Sequence, residues 1–230
     1  MIILVGTGHV FDLSSKIIQL VEEISPDVIC IELDKRRYYS LLSEDTTPKR
    51  VPLAYRILSR FQRRIAEWHG VRVGEEMITA IKIADEKNIP IELIDMDAEI
   101  IFKKLWKSLS PFEKMKLIFS GILGLVKSRS SIEREMINLE NRVDDIMKEV
   151  EKSFPSLKKV LVDERDRYMA EKLKNLSTQF ERIMAIVGDS HVTGIEKILS
   201  EKKIEVKTIR LKDLKNDVSF SFTVSYGPVA

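Results

Sequence analysis

Short apolar runs rich in β-branched residues alternate along the chain with stretches of helical period. Ile2–Val5, Val28–Ile31, Ile89–Ile94, Ile183–Val187 and Ile204–Ile209 are predicted strands. Ser14 to about Ile24 is a predicted helix, capped by Ser14 and stopped at Ser25-Pro26. Strand, helix and strand within about 30 residues is the βαβ unit of a parallel sheet. Further helices are predicted for Gly74 to about Lys87, Asp163–Asn175 and Gly194–Lys202, each just ahead of a strand. The segment from Val218 to Tyr226 alternates strictly, with Phe220, Phe222 and Val224 against Ser219, Ser221 and Thr223. That is the period of a half-buried strand, expected at a sheet edge or across a dimer. The expected fold is one α/β domain over 1–230. Its core is a central mixed, largely parallel sheet flanked by helices, with helical insertions near 46–72 and 103–157 and a C-terminal amphipathic strand.

Charge changes this picture little. Lys and Arg total 38 against 36 Asp and Glu, which argues against a nucleic-acid partner held by a global field. The single cysteine, Cys30, rules out an internal disulfide framework and a cysteine-rich zinc site; its place in Val28-Ile29-Cys30-Ile31 makes it a core residue. The start, Met-Ile-Ile-Leu-Val-Gly, lacks a basic n-region and reads as a strand. The longest apolar stretch, Leu117–Val126, has ten residues where about 20 are needed to cross a bilayer. The expectation is a cytoplasmic protein without a transmembrane anchor. Leu117–Val126 leaves room for peripheral membrane contact, and with the tail strand it favours a homodimer.

Candidate chemistry lies at the predicted strand ends. Val5-Gly6-Thr7-Gly8-His9-Val10 and Val187-Gly188-Asp189-Ser190-His191-Val192 share the pattern V-G-x-x-H-V. Each follows an apolar strand, where open parallel sheets bind ligands, so two of the three histidines take equivalent positions. Glu32 and Asp95 also follow strands, Glu32 being the stronger candidate. A carboxylate beside a strand-end histidine suits both a divalent metal and acid–base chemistry. The structural alternative for Glu32 is a helix cap or a salt bridge to Arg36 or Arg37. At 100° per residue Glu76 borders the apolar face of its helix, whereas Glu75 lies on the polar side. Arg165 and Asp166 fall within an apolar arc of Leu161, Val162, Met169, Leu173 and Leu176; buried charges there require partners. Arg56, Arg60 and Arg63, interleaved with Tyr55, Phe61 and Trp68, are a solvated basic face or an anion grip. His69 is a structural residue.

Five motifs in order resemble the TraB/PrgY pheromone-shutdown family, which is related to Tiki proteases and GumN proteins. They are Gly-Thr-Gly-His-Val at 6–10, Ile-Glu-Leu-Asp-Lys-Arg-Arg at 31–37, Gly-Glu-Glu-Met at 74–77, Asp-Glu-Arg-Asp-Arg-Tyr-Met-Ala at 163–170 and Val-Gly-Asp-Ser-His-Val at 187–192. The resemblance implies a sheet flanked by helices, shared with the erythromycin-esterase and ChaN-like group. It also implies metal-dependent peptidase chemistry with manganese or cobalt, zinc and iron being alternatives. Carried onto this chain, His9, Glu32 and His191 hold the ion, Glu76 is general base or a further ligand, and Arg165 stabilises the oxyanion. Many relatives continue into a hydrophobic C-terminal membrane portion, and none follows before Ala230. The expected function is a peptidase-like hydrolase acting on a peptide or small molecule. The alternatives are a metal-free, histidine-based esterase-like hydrolase and a non-catalytic module binding a peptide, haem or metal.

Overall fold

The computed structural model describes residues 1–8, 13–42, 74–115, 152 and 155–215. His9, the insertion near 46–72, Leu117–Val126 and the alternating tail lie outside these residues, as does most of 103–157.

Five strands form one sheet: β1 (Ile2–Thr7), β2 (Val28–Ile31), β3 (Ile91–Leu93), β4 (Ile183–Gly188) and β5 (Val206–Ile209). Their order is β3-β2-β4-β1-β5 and all four pairings are parallel. This is the α/β fold the apolar runs predict. The mixed character of the expected sheet rested on the tail strand.

Helices cover both faces, which is why the central strands β1, β2 and β4 read as unbroken apolar runs, while the edge strands β3 and β5 carry Glu92 and Lys207. Ile3, Val5, Ile29, Ile31, Met184 and Ile186 pack against α1 (Ser14–Ile24) and α3 (Glu75–Glu86). Ile2, Leu4, Cys30, Ile183, Ala185 and Val187 pack against α6 (Glu164–Leu176) and α7 (Asp189–Glu201). Shorter or more exposed helices complete the described chain: α2 (Lys35–Leu42), α4 (Ala98–Ser108), α5 (Pro155–Lys158) and α8 (Leu211–Lys215). A π-helical turn, Lys159–Asp163, joins α5 to α6.

Three local expectations are corrected. Ser14 does not cap α1: Leu13 holds the cap position and the Ser14 hydroxyl instead meets Thr79 at 3.1 Å. The helix expected from Gly194 begins five residues earlier, at Asp189, so His191 sits in a helical turn and not in a loop. The arc on the helix of Arg165 is also altered, because Val160 is buried while Leu161 and Val162 are only half-buried. The wider π turn breaks the 100° phase on which that arc depended.

The topology places a crevice. β1 and β2 are followed by helices on the α1/α3 face, whereas β4, which lies between them, is followed by α7 on the opposite face. The carboxyl end of β4 is therefore a topological switch point, where α/β sheets receive ligands.

Candidate functional site

Glu32 follows β2 directly, and its N–H still donates to Ile186 O on β4 at 3.1 Å. It keeps the parity of Val28 and Cys30, which turns its carboxylate toward the α6/α7 face. There Oε2 accepts from Gly188 N at 2.6 Å. Gly188 caps α7, and the unsatisfied N–H groups of a helix start favour an anion. Burial disfavours the Glu32 carboxylate, but the positive charge that His191 carries when protonated, Arg165 and this N–H hold its pKa below the ordinary glutamate value.

Arg165 enters from the first turn of α6, with its side chain 13% exposed. Nε and Nη2 grip Asp95 Oδ1 and Oδ2 at 3.0 and 2.8 Å. Nη2 also donates to Glu32 Oε1, while Nη1 donates to Leu161 O at 3.2 Å and lies 3.0 Å from His191 Nε2. Leu161 belongs to the π-helical turn that leads into α6. Burial alone would lower the pKa of Arg165, yet Glu32 and Asp95 raise it above the ordinary arginine value.

A guanidinium has five N–H donors, and all five of Arg165 point at protein acceptors. The side chain therefore has no donor left for an oxyanion in this arrangement. What it does here is clamp Glu32, Asp95 and His191 together.

The contacts of His191 assign its protons. Arg165 can only donate, so Nε2 must accept and carry the lone pair. A neutral imidazole then has its proton on Nδ1, which lies 2.6 Å from Asp166 Oδ1. Both residues are buried. Burial raises the pKa of Asp166 above the ordinary aspartate value, with the His191 contact opposing it. Nε2 of His191 is also 3.5 Å from Glu32 Oε1.

Asp95, whose side chain is fully buried, is shared with Arg37 of α2. Arg37 Nε also reaches Asp34 Oδ2 at 2.8 Å, and Asp34 Oδ1 accepts from the N–H groups of Arg36 and Arg37. The cap and the local salt bridge considered for Glu32 therefore belong to Asp34. Burial raises the pKa of Asp95, but Arg165 and Arg37 bring it below the ordinary aspartate value.

The structure thus brings together three of the predicted residues, Glu32, Arg165 and His191, with Asp95, the weaker strand-end candidate, and Asp166, the inward charge beside Arg165. Glu76 is fully buried in the first turn of α3, on the helix layer across the sheet. His9 lies outside the described residues, although β1 and β4 are paired and their carboxyl ends adjoin. Gly194, which the sequence offered only as a helix start, lies against Asp166. An isolated glycine inside a helical pattern was the signal available.

A divalent ion fits the described residues only in part. Among them no group of three His, Cys, Asp or Glu is arranged to hold one. Glu32 Oε1 and His191 Nε2 converge, but the positive guanidinium of Arg165 lies against both.

Comparison with known proteins follows the motifs. The profile of the TraB/PrgY/gumN family matches residues 1–208. An uncharacterised protein of Methanocaldococcus jannaschii is 35% identical over 219 residues, which cover 89% of this chain and 54% of that protein. TraB domain-containing proteins of Bos taurus and Homo sapiens are 26% and 25% identical, over 84% of this chain and 61% of each of theirs. The chain thus spans between half and two thirds of the length of these relatives. Five motifs in order and a profile match across nine-tenths of the sequence agree: the chain belongs to the TraB/PrgY/gumN family.

Proposed function

We propose that the crevice at the carboxyl end of β4 is a hydrolytic site for an ester or amide bond of a peptide or small molecule. One observation carries this reading. Asp166 holds Nδ1–H of His191, so the Nε2 lone pair points into a buried polar cluster at a topological switch point. When Nη1 of Arg165 yields that lone pair, Nε2 takes a proton from water as the water oxygen bonds to the carbonyl carbon. The same proton then passes to the departing amine or alkoxide. Glu32, 3.5 Å from Nε2, and Asp166 offset the charge of the transient imidazolium beside Arg165. The test is hydrolysis of a panel of ester and amide reporters by the whole chain. His191→Gln is expected to abolish turnover, general-base loss being about 10²–10⁴-fold. Turnover that persists in this variant overturns the reading.

A second reading, metal-assisted peptide hydrolysis, is favoured by the approach of Glu32 Oε1 to His191 Nε2. A histidine whose other nitrogen is held by a carboxylate is the usual form of a metal ligand. Manganese or cobalt, with zinc or iron as alternatives, would be held by Glu32 and His191 together with His9, whereas Glu76 belongs to the helix layer across the sheet. Such an ion would supply a bound water of lowered pKa, and Arg165 would have to release Glu32 and His191 to admit it.

A further inference from the structure

His191 and Gly194 are three residues apart on α7, so they share one helix face, and that face meets α6. Asp166 projects from α6 between them. Its Oδ1 is 2.6 Å from His191 Nδ1, and its Oδ2 lies over the bare Cα of Gly194. A Cβ at position 194 would stand 1.9 Å from Oδ2, 2.8 Å from Cγ and 3.4 Å from Cβ of Asp166. Rotating the carboxylate cannot relieve this, because Cγ itself is too close. Aspartate has no longer arm to bend away.

Gly194 is not needed for its backbone freedom. It lies well inside a regular helix, where glycine costs stability relative to alanine. An unstrained glycine in a helix interior, with a carboxylate filling the space of its missing side chain, has a packing purpose.

The other side of the same helical turn is built alike. Asp189, in the first turn of α7, places Oδ1 where a Cβ on Gly6 of β1 would be, only 2.3 Å away. Arg210 holds that carboxylate through Nε at 2.9 Å and Nη2 at 2.7 Å, and Leu211 N adds a bond at 2.9 Å. The turn that carries His191 is thus fixed at 189 against the sheet and at 194 against α6.

We propose that Gly194 and Asp166 are a positioning pair for His191. The glycine lets the two helices approach until the carboxylate, held above the Gly194 backbone, can accept a hydrogen bond from Nδ1–H. This rests on His191 as the working residue of the site, but the contact itself is tested without turnover.

The experiment uses the whole chain in four forms: wild type, Gly194→Ala, Asp166→Ala and Gly194→Ala/Asp166→Ala. The first readout is the ring N–H proton resonance of His191, identified by its loss in His191→Gln. A 2.6 Å bond to a buried carboxylate is expected to give a far-downfield, slowly exchanging signal in wild type. That signal is lost in Gly194→Ala as fully as in Asp166→Ala.

The second readout is the urea midpoint. Gly194→Ala lowers it in the wild-type background and leaves it unchanged or raises it in the Asp166→Ala background, where the clash is gone and alanine is the better helix former. Should Gly194→Ala fail to fold, refolding of the double variant supports the pair, and failure of both overturns it. A wild-type chain without the signal, or a Gly194→Ala chain that keeps both signal and midpoint, also overturns it. If the signal behaves as expected while no reporter is hydrolysed, the hydrolytic reading falls and the positioning pair stands.

Discussion

Nη1 of Arg165 lies 3.0 Å from Nε2 of His191, on the lone pair that a base or a metal ligand has to offer. The same guanidinium is bound to Glu32 and Asp95, so one side chain both organises the crevice and covers this nitrogen of His191.

Removing that cation leaves two buried carboxylates facing each other. Arg165→Met is expected to destabilise the chain by about 3–5 kcal/mol, the usual effect of breaking a buried ion pair from one side. Arg165→Lys restores little, because an ammonium cannot grip Asp95 with two bonds while reaching Glu32. Urea unfolding of the three proteins checks this. Near-equal stability of wild type and Arg165→Met would refute the clamp.

Stability should fall in acid. The pKa values of Glu32 and Asp95 are depressed in the fold, so their contribution is full above ordinary carboxylate values, about 4. It is lost as pH falls through the depressed values. Asp166 acts in the opposite sense: its raised pKa gives stability at low pH that is lost as pH rises through the raised value. With two depressed groups against one raised, the urea midpoint is expected to drop below about pH 4. Glu32→Gln should shorten that drop. A midpoint that stays level to pH 3 would contradict the assignment.

A divalent ion at the proposed site would compete with Arg165 for Glu32 and His191. If an ion is taken up, titration with manganese, cobalt or zinc should show about one equivalent bound. The His9→Ala/His191→Ala protein should bind none. Arg165→Gln should bind more tightly than wild type, since a positive charge leaves the position between Glu32 and His191. Binding that is indifferent to both histidines would place any ion elsewhere.

Cys30 lies wholly inside the sheet, where burial, aided by Glu92, raises its thiol pKa far above the ordinary value. A disulfide reagent is expected to leave it unmodified in the native chain and to label one thiol per chain in denaturant. Rapid labelling of the native protein would contradict its core position.

The sheet was legible because its three central strands, β1, β2 and β4, are short β-branched runs buried on both faces, and a run of that length has few other uses. β2 was located to the residue, and α1 to within its cap, its end being set by the left-handed Ser25 (φ 46°) before Pro26. Local chemistry was less legible. The start of α7 was missed because Gly188-Asp189-Ser190 reads as a turn, although Gly188 serves as its cap. The inward face of α6 was right for Arg165 and Asp166, yet the π-helical turn shifted the residues before it. Partner choice was least legible. Glu32 pairs with Arg165, 133 positions away, while the nearer Arg37 goes to Asp34 and Asp95. Only the strand order brings those residues together.

That order also bears on how the chain is made. β1 is synthesised before the other four strands of the sheet, but both of its neighbours, β4 and β5, lie beyond residue 182. At about 5–20 residues per second, β1 waits roughly 10 to 35 s on the ribosome before either partner emerges. During that interval six residues destined for full burial have no strand beside them. Late pairing of this kind leaves an apolar strand open to other chains. The interval between the emergence of β1 and that of β4 is therefore when the nascent chain most needs a chaperone.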